Sequence, residues 1–320
     1  MTDTYLGIDT SNYTTSLALC GGGKIIKSVR RLLPVKQGEC GLRQSDAVFL
    51  HTKALPELSE ELFSSELFVP GSLRGVGVSV SPRDAAGSYM PCFLAGVSFA
   101  AAAANSCRVP IYNFSHQAGH IMAGIYSSGR SELADSGFLC YHVSGGTTEA
   151  LFVKSAGDSF SCEICGGTTD ASAGQIIDRA GVYAGLEFPA GKHLEKLALE
   201  SSDKKIGLCV SEKDGYFSMS GLQNKFEKYM QSGLSINDAA RFVFESIAVA
   251  LSRSLVSLRN KCGKNVPVLF VGGVCSNSII REILLKNESV YFASPELSSD
   301  NACGTALLCE RAVKNAPSLR

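Results

Sequence analysis

Two of the five histidines, His116 and His120, stand four residues apart in the run Ser115-His116-Gln117-Ala118-Gly119-His120. On a helix that spacing puts both imidazoles on one face, one turn apart, where they can share a metal ion. A simple hydrogen-bonded histidine pair would use the same spacing. Gln117 occupies the place of the glutamate in the zincin pattern HExxH. An amide cannot serve as general base, so metalloprotease chemistry of that type is disfavoured. No third ligand lies nearby in sequence.

Three segments could approach an anion. Gly7-Ile8-Asp9-Thr10-Ser11-Asn12-Tyr13-Thr14 and Val143-Ser144-Gly145-Gly146-Thr147-Thr148 are turns of small polar residues at the end of an apolar run. Glycine lets the backbone come close to a ligand, and successive N–H groups in such a turn form an anion-binding concavity. Each alone reads as an ordinary hairpin turn; their recurrence in both halves favours a bound nucleotide. Asp9 and Ser11 of the first turn, and Val143, Ser144, Gly145, Gly146 and Thr147 of the second, are the candidate contacts. The third segment, Val271-Gly272-Gly273-Val274-Cys275-Ser276-Asn277, runs a buried strand into a Gly-Gly turn and then a helix that Ser276 or Asn277 can cap. Gly272 and Gly273 leave room there for a flat ring. Neither the Gly-Lys-Ser/Thr ending of a Walker loop nor a GxGxxG fingerprint is present.

The elements that must hold these residues follow one order twice. Short strands are expected at Tyr5–Asp9, Thr15–Cys20 and Lys24–Arg31. A helix follows over Gln44–Phe63, where Ala47, Leu50, Ala54, Leu55 and Leu58 recur at helical spacing. Then come a strand at Gly75–Ser79, an alanine-rich helix from Phe93, a strand at Val109–Asn113 and a helix from Ser115. The second half restarts with strands at Phe138–Val143, Glu149–Lys154 and Ser159–Cys165. Helices follow, including Asn237–Asn260, then a strand at Val266–Val271, a helix from Asn277, a strand at Val290–Ala293 and a closing helix from about Asp300. A three-strand meander followed by helix–strand alternation makes a mixed α/β sheet with helices on both faces. Two tandem copies imply two lobes with a cleft between them, divided near Ser131–Ser136.

Composition agrees. The 320 residues are 45% hydrophobic and 19% charged, with 30 basic and 30 acidic side chains. That excludes a mainly disordered chain, and no global positive field draws nucleic acid or an anionic membrane. The longest apolar stretch, Phe93 to Ser106, is shorter than the ~20 residues a spanning helix needs. The opening residues lack the basic and apolar regions of a signal peptide, so no membrane association and a cytoplasmic location are expected. The 12 cysteines are scattered through apolar runs, with one unmatched CxxC at Cys162 and Cys165, and read as reduced thiols rather than a metal knuckle.

Taken together, GIDTSNYTTSLAL, SHQAGH, VSGGTTEALFV, DASAGQIIDRAGVYAGLEFPAG, FSMSGL, VGGVCSN and SSDNACGTA resemble, in order and over nearly the whole chain, the TsaD/Gcp glycoprotease-like family. The resemblance implies two ribonuclease-H-like, actin-like ATPase lobes, over residues 1–133 and 134–297, with a tail over 298–320. It implies one divalent metal, iron or zinc, held by His116, His120 and Asp300. It places an adenine nucleotide, threonylcarbamoyl-AMP or ATP/ADP, on Val143 to Thr147, Asp178, Gly191 and Asn277. The implied reaction transfers a threonylcarbamoyl group from its adenylate to N6 of adenosine 37 in tRNAs reading ANN codons, with a TsaB-like dimer partner and a TsaE-like ATPase. The family's usual ETSCDET becomes Asp9 to Thr15 here, and its SGGHT becomes Ser144 to Thr148. Its ETxDDAAGEAFDK becomes Gly167-Thr168-Thr169-Asp170-Ala171-Ser172-Ala173-Gly174-Gln175-Ile176-Ile177-Asp178-Arg179. Beside transfer stand two other readings, a non-catalytic or regulatory nucleotide-binding paralogue and another carbamoyl-transfer or ATP-dependent activity on the same fold.

Overall fold

The computed structural model describes residues 2–11, 13–34, 42–202, 210–298 and 301–316. The chain divides into two compact units. Unit 1 comprises Met1–Ala134, Ser155–Ser161 and Glu296–Arg320; unit 2 comprises Asp135–Lys154 and Cys162–Pro295. Labels below run along the chain.

Unit 1 is built on strands β1 (Thr4–Asp9), β2 (Thr14–Gly21), β3 (Lys24–Leu32), β4 (Leu73–Ser81) and β5 (Ile111–Ser115), in the order β3-β2-β1-β4-β5. β1 is antiparallel to β2 and parallel to β4. Its helices are α1 (Gln44–Phe63), α2 (Phe93–Cys107), α3 (His116–Ser128) and the closing α9 (Cys303–Asn315). Strand alternation sorts the central residues onto two faces. Leu6, Ile8, Val76 and Val78 join a core with Ala54, Leu55, Leu58 and Leu62 of α1 and Ala95, Ala100 and Ala104 of α2. Their neighbours Gly7, Gly75 and Gly77 face α9. A Cβ at Gly7 would stand 2.4 Å from Ala302 O, one at Gly77 2.7 Å from Thr305 O, and one at Gly75 2.8 Å from Val313 Cγ2. Bare backbone on β1 and β4 is therefore what lets α9 lie against the sheet.

Unit 2 repeats the order. β6 (Phe138–Val143), β7 (Thr148–Ala156), β8 (Ser159–Thr168), β11 (Val268–Val271) and β12 (Val290–Phe292) stand in the sequence β12-β11-β6-β7-β8. Read from the other edge, this is third, second, first, fourth, fifth, as in unit 1. The short strands β9 (Ser211–Lys213) and β10 (Tyr216–Ser218) extend the sheet beyond β8. The reading from sequence omitted that pair, although Asp214-Gly215 between them is a strong two-residue hairpin signal, with φ of 59° and 96°. Helices α4 (Ala173–Tyr183), α5 (Gly191–Leu199), α6 (Ser220–Gln231), α7 (Ile236–Cys262) and α8 (Ser278–Leu284) complete the unit. Phe242, Ile247, Leu251 and Leu255 of α7 share the core with Leu139, Tyr141 and Phe270 of the sheet. Tyr141, Phe270 and Phe292 stack with centroids 4.8 and 5.1 Å apart. The buried Tyr141 hydroxyl is paired with Ser254 Oγ at 2.9 Å.

Several boundaries move, two of them with a local cause. The strand expected from Val266 begins at Val268, because the Val266 carbonyl accepts from the Arg259 guanidinium at 3.2 Å. The closing helix begins at Cys303 rather than about Asp300, and the Asn301 side chain accepts the Cys303 N–H at 3.0 Å. Among the described residues no helix is long and apolar enough to cross a membrane.

Candidate functional site

In unit 1 the histidine pair starts α3. Ser115 caps the helix, its side chain accepting the Ala118 N–H, and the cap fixes where the first turn begins. His116 Nε2 and His120 Nε2 lie 2.9 Å apart. On the other side of the His116 ring, Nδ1 is 3.2 Å from each carboxylate oxygen of Asp9. Asp9 is fully buried, and Ser11 Oγ donates to its Oδ2 at 2.6 Å. An ionised Asp9 carboxylate accepts from His116 Nδ1–H, and in the neutral ring that leaves Nε2 as the atom with a lone pair. A neutral imidazole oriented from behind by a carboxylate is one donor that a metal ion can use. Asp9 and Ser11, read from sequence as substrate contacts, are hydrogen-bonded here behind the His116 ring.

The rest of the first turn is closed. Thr10 Oγ1 donates to Cys92 O at 3.1 Å and accepts the Gly96 N–H at 3.2 Å, and Thr10 and Ser11 are fully buried. Asp300 lies outside the described residues. Among the described residues no group of three metal-ligating side chains is assembled. The segment just after Asp300 packs on α3: a Cβ at Gly304 would stand 1.8 Å from the carbonyl oxygen of Gly119, next to His120.

In unit 2 the second turn is open. Ser144 N–H donates to Thr147 O at 2.7 Å, and Thr147 N–H to Ser144 Oγ at 3.1 Å. A Cβ at Gly145 or Gly146 would meet nothing within 4 Å. Behind the turn lies the start of α4. Ser172 Oγ donates to Gly145 O at 2.5 Å, and Gly174 N–H to Ser144 O at 3.2 Å. The adjoining parallel strand β11 ends in Gly272 at φ 101°, where a Cβ would stand 2.4 Å from Val143 O. Only glycine fits there. Gly273 beyond it faces open space. The turns after β6 and β11 thus share the carboxyl edge of adjacent parallel strands, the place where open α/β sheets bind ligands.

The other expected contacts are in the same unit. Asn277 caps α8, its Oδ1 accepting the Ile280 N–H at 3.0 Å, while its buried Nδ2 has no partner among the described residues. Gly191 opens α5, and Asp178 Oδ1 accepts the preceding Ala190 N–H at 2.9 Å. Glu195 of α5 accepts from both N and Oγ of Ser278 at 2.7 Å, tying the Gly191 helix to the Asn277 helix. Cys162 and Cys165 sit on one strand, β8, three residues apart and so on opposite faces, which no knuckle allows. Burial raises the thiols of Cys140 and Cys275.

Sequence reasoning missed Ser172 and Asp170. For Ser172 the signal was its spacing to Gln175, a capping box that the structure forms. Asp170 accepts from Ala171 N, Met219 N, Ser220 N and Ser218 Oγ at 2.6–3.0 Å, capping α6 from outside it. Partial burial alone would raise its pKa. The hydrogen bonds, led by that of Ser218, outweigh burial and hold the carboxyl well below the usual carboxylate range. Because the folded value is the lower one, the stabilisation is complete above the unfolded value of about 4 and is lost as pH falls through the folded one. Thermal melts from pH 7 to 3 should fall more steeply below pH 4 for wild type than for Asp170→Asn. Parallel curves would remove Asp170 as the source of acid sensitivity.

Residues 38–307 match the family model TsaD, tRNA N6-adenosine threonylcarbamoyltransferase. The curated tRNA N6-adenosine threonylcarbamoyltransferase of Riemerella anatipestifer is 26% identical over 320 residues, covering 95% of this chain and 91% of the relative. The Thermus thermophilus protein of the same name is 29% identical over 310 residues, covering 96% and 92%. Among solved structures, the activator of 2-hydroxyisocaproyl-CoA dehydratase from Clostridium difficile, with bound ADPNP, gives a TM-score of 0.53 at 14% identity, covering 99% of this chain and 97% of that one. That likeness is one of fold.

Proposed function

Starting from the fact that this chain belongs to the TsaD family of tRNA-modifying transferases, we propose that it transfers a threonylcarbamoyl group from threonylcarbamoyl-AMP to N6 of adenosine 37 in tRNAs reading ANN codons. The bond between the carbamoyl carbon and the phosphate oxygen breaks, the bond from that carbon to N6 forms, AMP departs with the bonding electron pair, and N6 gives up one proton to solvent. The observation that carries this beyond family membership is the turn Ser144–Thr147. It is open to solvent at a strand's carboxyl edge, and its Gly145 and Gly146 N–H groups donate to nothing among the described residues. Such donors hold a phosphate and stabilise the charge of a leaving AMP. Asp178, Gly191 and Asn277 take the ribose and base in this reading, Asn277 with an amide that lacks an acceptor among the described residues.

His116 and His120, with Asp300, would hold one iron or zinc ion; the support is the facing pair of Nε2 atoms and the Asp9 carboxylate that fixes the tautomer of His116. A bound ion supplies Lewis acidity toward a carbonyl. The protein acts in the cytoplasm with a TsaB-like dimer partner and a TsaE-like ATPase. In support of a protein partner, α1 and α2 leave an apolar groove lined by Val48, Leu55, Pro56, Leu94 and Phe99, with Phe49 and Leu94 exposed.

The test is reconstitution. The chain is incubated with the two partner proteins, threonine, bicarbonate, ATP and tRNA, and the digested tRNA is searched for N6-threonylcarbamoyladenosine. Product formation is expected. Its absence under conditions where a related enzyme succeeds would end the transferase reading.

A further inference from the structure

We propose that Ser172 is a positioning residue for the phosphate turn, aiming the Gly145 and Gly146 N–H groups at the ligand. This rests on the reading of Ser144–Thr147 as the phosphate site.

The argument follows from peptide geometry. In a trans peptide the carbonyl of one residue and the N–H of the next point in opposite directions. The one cis bond among the described residues is Phe188–Pro189, far along the chain from this turn. Ser144 O is held by the Gly174 N–H at 3.2 Å, so the N–H of Gly145, in the same peptide plane, points away from α4. Gly145 O is held by Ser172 Oγ at 2.5 Å, so the N–H of Gly146 also points away. Two successive carbonyls are drawn inward by the first turn of one helix, and two successive N–H groups are driven outward, into space that a Cβ on either glycine would find empty.

Gly174 can approach because it lacks a side chain: a Cβ there would stand 2.5 Å from Gly145 Cα. Ser172 contributes through its hydroxyl, which donates to Gly145 O while accepting the Gln175 N–H at 3.3 Å. Gln175 returns the bond, its Oε1 accepting the Ser172 N–H at 3.3 Å. Without the hydroxyl, the Gly145–Gly146 peptide is free to rotate and present its carbonyl to an anion, which repels it.

The experiment compares the binding of AMP and of adenosine by calorimetry, since only AMP uses the turn. Wild type should bind AMP more tightly than adenosine. Ser172→Ala should weaken AMP about tenfold, the loss of one charge-assisted hydrogen bond, while adenosine stays within about twofold. Ser172→Thr, which keeps the hydroxyl, should restore the preference. Gln175→Ala weakens the same helix cap without touching Gly145, and should lower Tm yet leave the preference intact. If Ser172→Ala weakens AMP and adenosine equally, or Gln175→Ala loses the preference too, the effect is one of helix stability and the proposal fails. If wild type shows no preference for AMP, the phosphate-site reading fails and takes the proposal with it.

Discussion

His120→Ala, purified from metal-replete cells, is expected to retain less than about a tenth of the iron or zinc of wild type while melting within a few degrees of it. The asymmetry in the site sets this expectation. His120 Nε2 faces His116 Nε2 at 2.9 Å, and deleting one of two imidazoles leaves at most one nitrogen ligand, too few to retain a borderline ion against solvent. Fold stability has little at stake, since both rings are only partly buried and neither belongs to an apolar core. The Asp9→Asn variant sharpens the test. Asp9 touches no metal in this reading; it keeps the proton of His116 on Nδ1. An amide can donate as well as accept and no longer fixes that tautomer, so metal affinity should fall by about 10–100-fold rather than vanish. Inductively coupled plasma mass spectrometry on the three proteins reads the result directly. Metal content unchanged in His120→Ala would remove the pair as ligands. A loss in Asp9→Asn as complete as in His120→Ala would make Asp9 a direct ligand instead.

How much of this could be read from the sequence depended on the range of the interaction. Local periodicity was enough for α1, whose bounds coincide with the expected Gln44–Phe63, and for β6 at Phe138–Val143. The meander-then-alternation order led to two mixed sheets, which the strand orders bear out. The side-chain network was beyond reach. Asp9 and His116 are 107 residues apart, and no spacing rule links a strand end to a helix start across that gap. The first turn looked like the second in composition, yet Thr10 bonds inward to Cys92 and Gly96, and only tertiary packing distinguishes them. In unit 1 the glycines of β4, Gly75 and Gly77, would by propensity weaken a strand. Their meaning emerges only once α9, more than 200 residues later, is laid on them.

That packing carries the second large expected effect. Gly304 sits in the first turn of α9, and intrinsic propensity favours alanine there by about 1 kcal/mol. Contact geometry decides the other way. A Cβ at Gly304 would lie 1.8 Å from Gly119 O, 2.7 Å from Gly119 C and 2.8 Å from Ala123 N. All three are backbone atoms of α3, so no rotamer change relieves the overlap; α9 or α3 must shift as a body. A shift of α9 parts Ala302 and Ala306 from Gly7, and Thr305 from Gly77, opening the close-packed face of the sheet. Overpacking against rigid backbone on this scale belongs among the rare losses above about 4 kcal/mol, against a total stability of about 5–15 kcal/mol. Gly304→Ala should therefore lower Tm by more than about 10 °C, and Gly304→Val should yield little soluble protein. Gly221→Ala is the matched control: it is also in a helix's first turn, in α6, but a Cβ there meets nothing within 4 Å. Freed of any clash, propensity should prevail, and Tm should hold or rise by a few degrees. Were Gly304→Ala to melt like Gly221→Ala, α9 would not be seated on α3 in solution. The helix that follows Asp300 in sequence would then not be held beside His120.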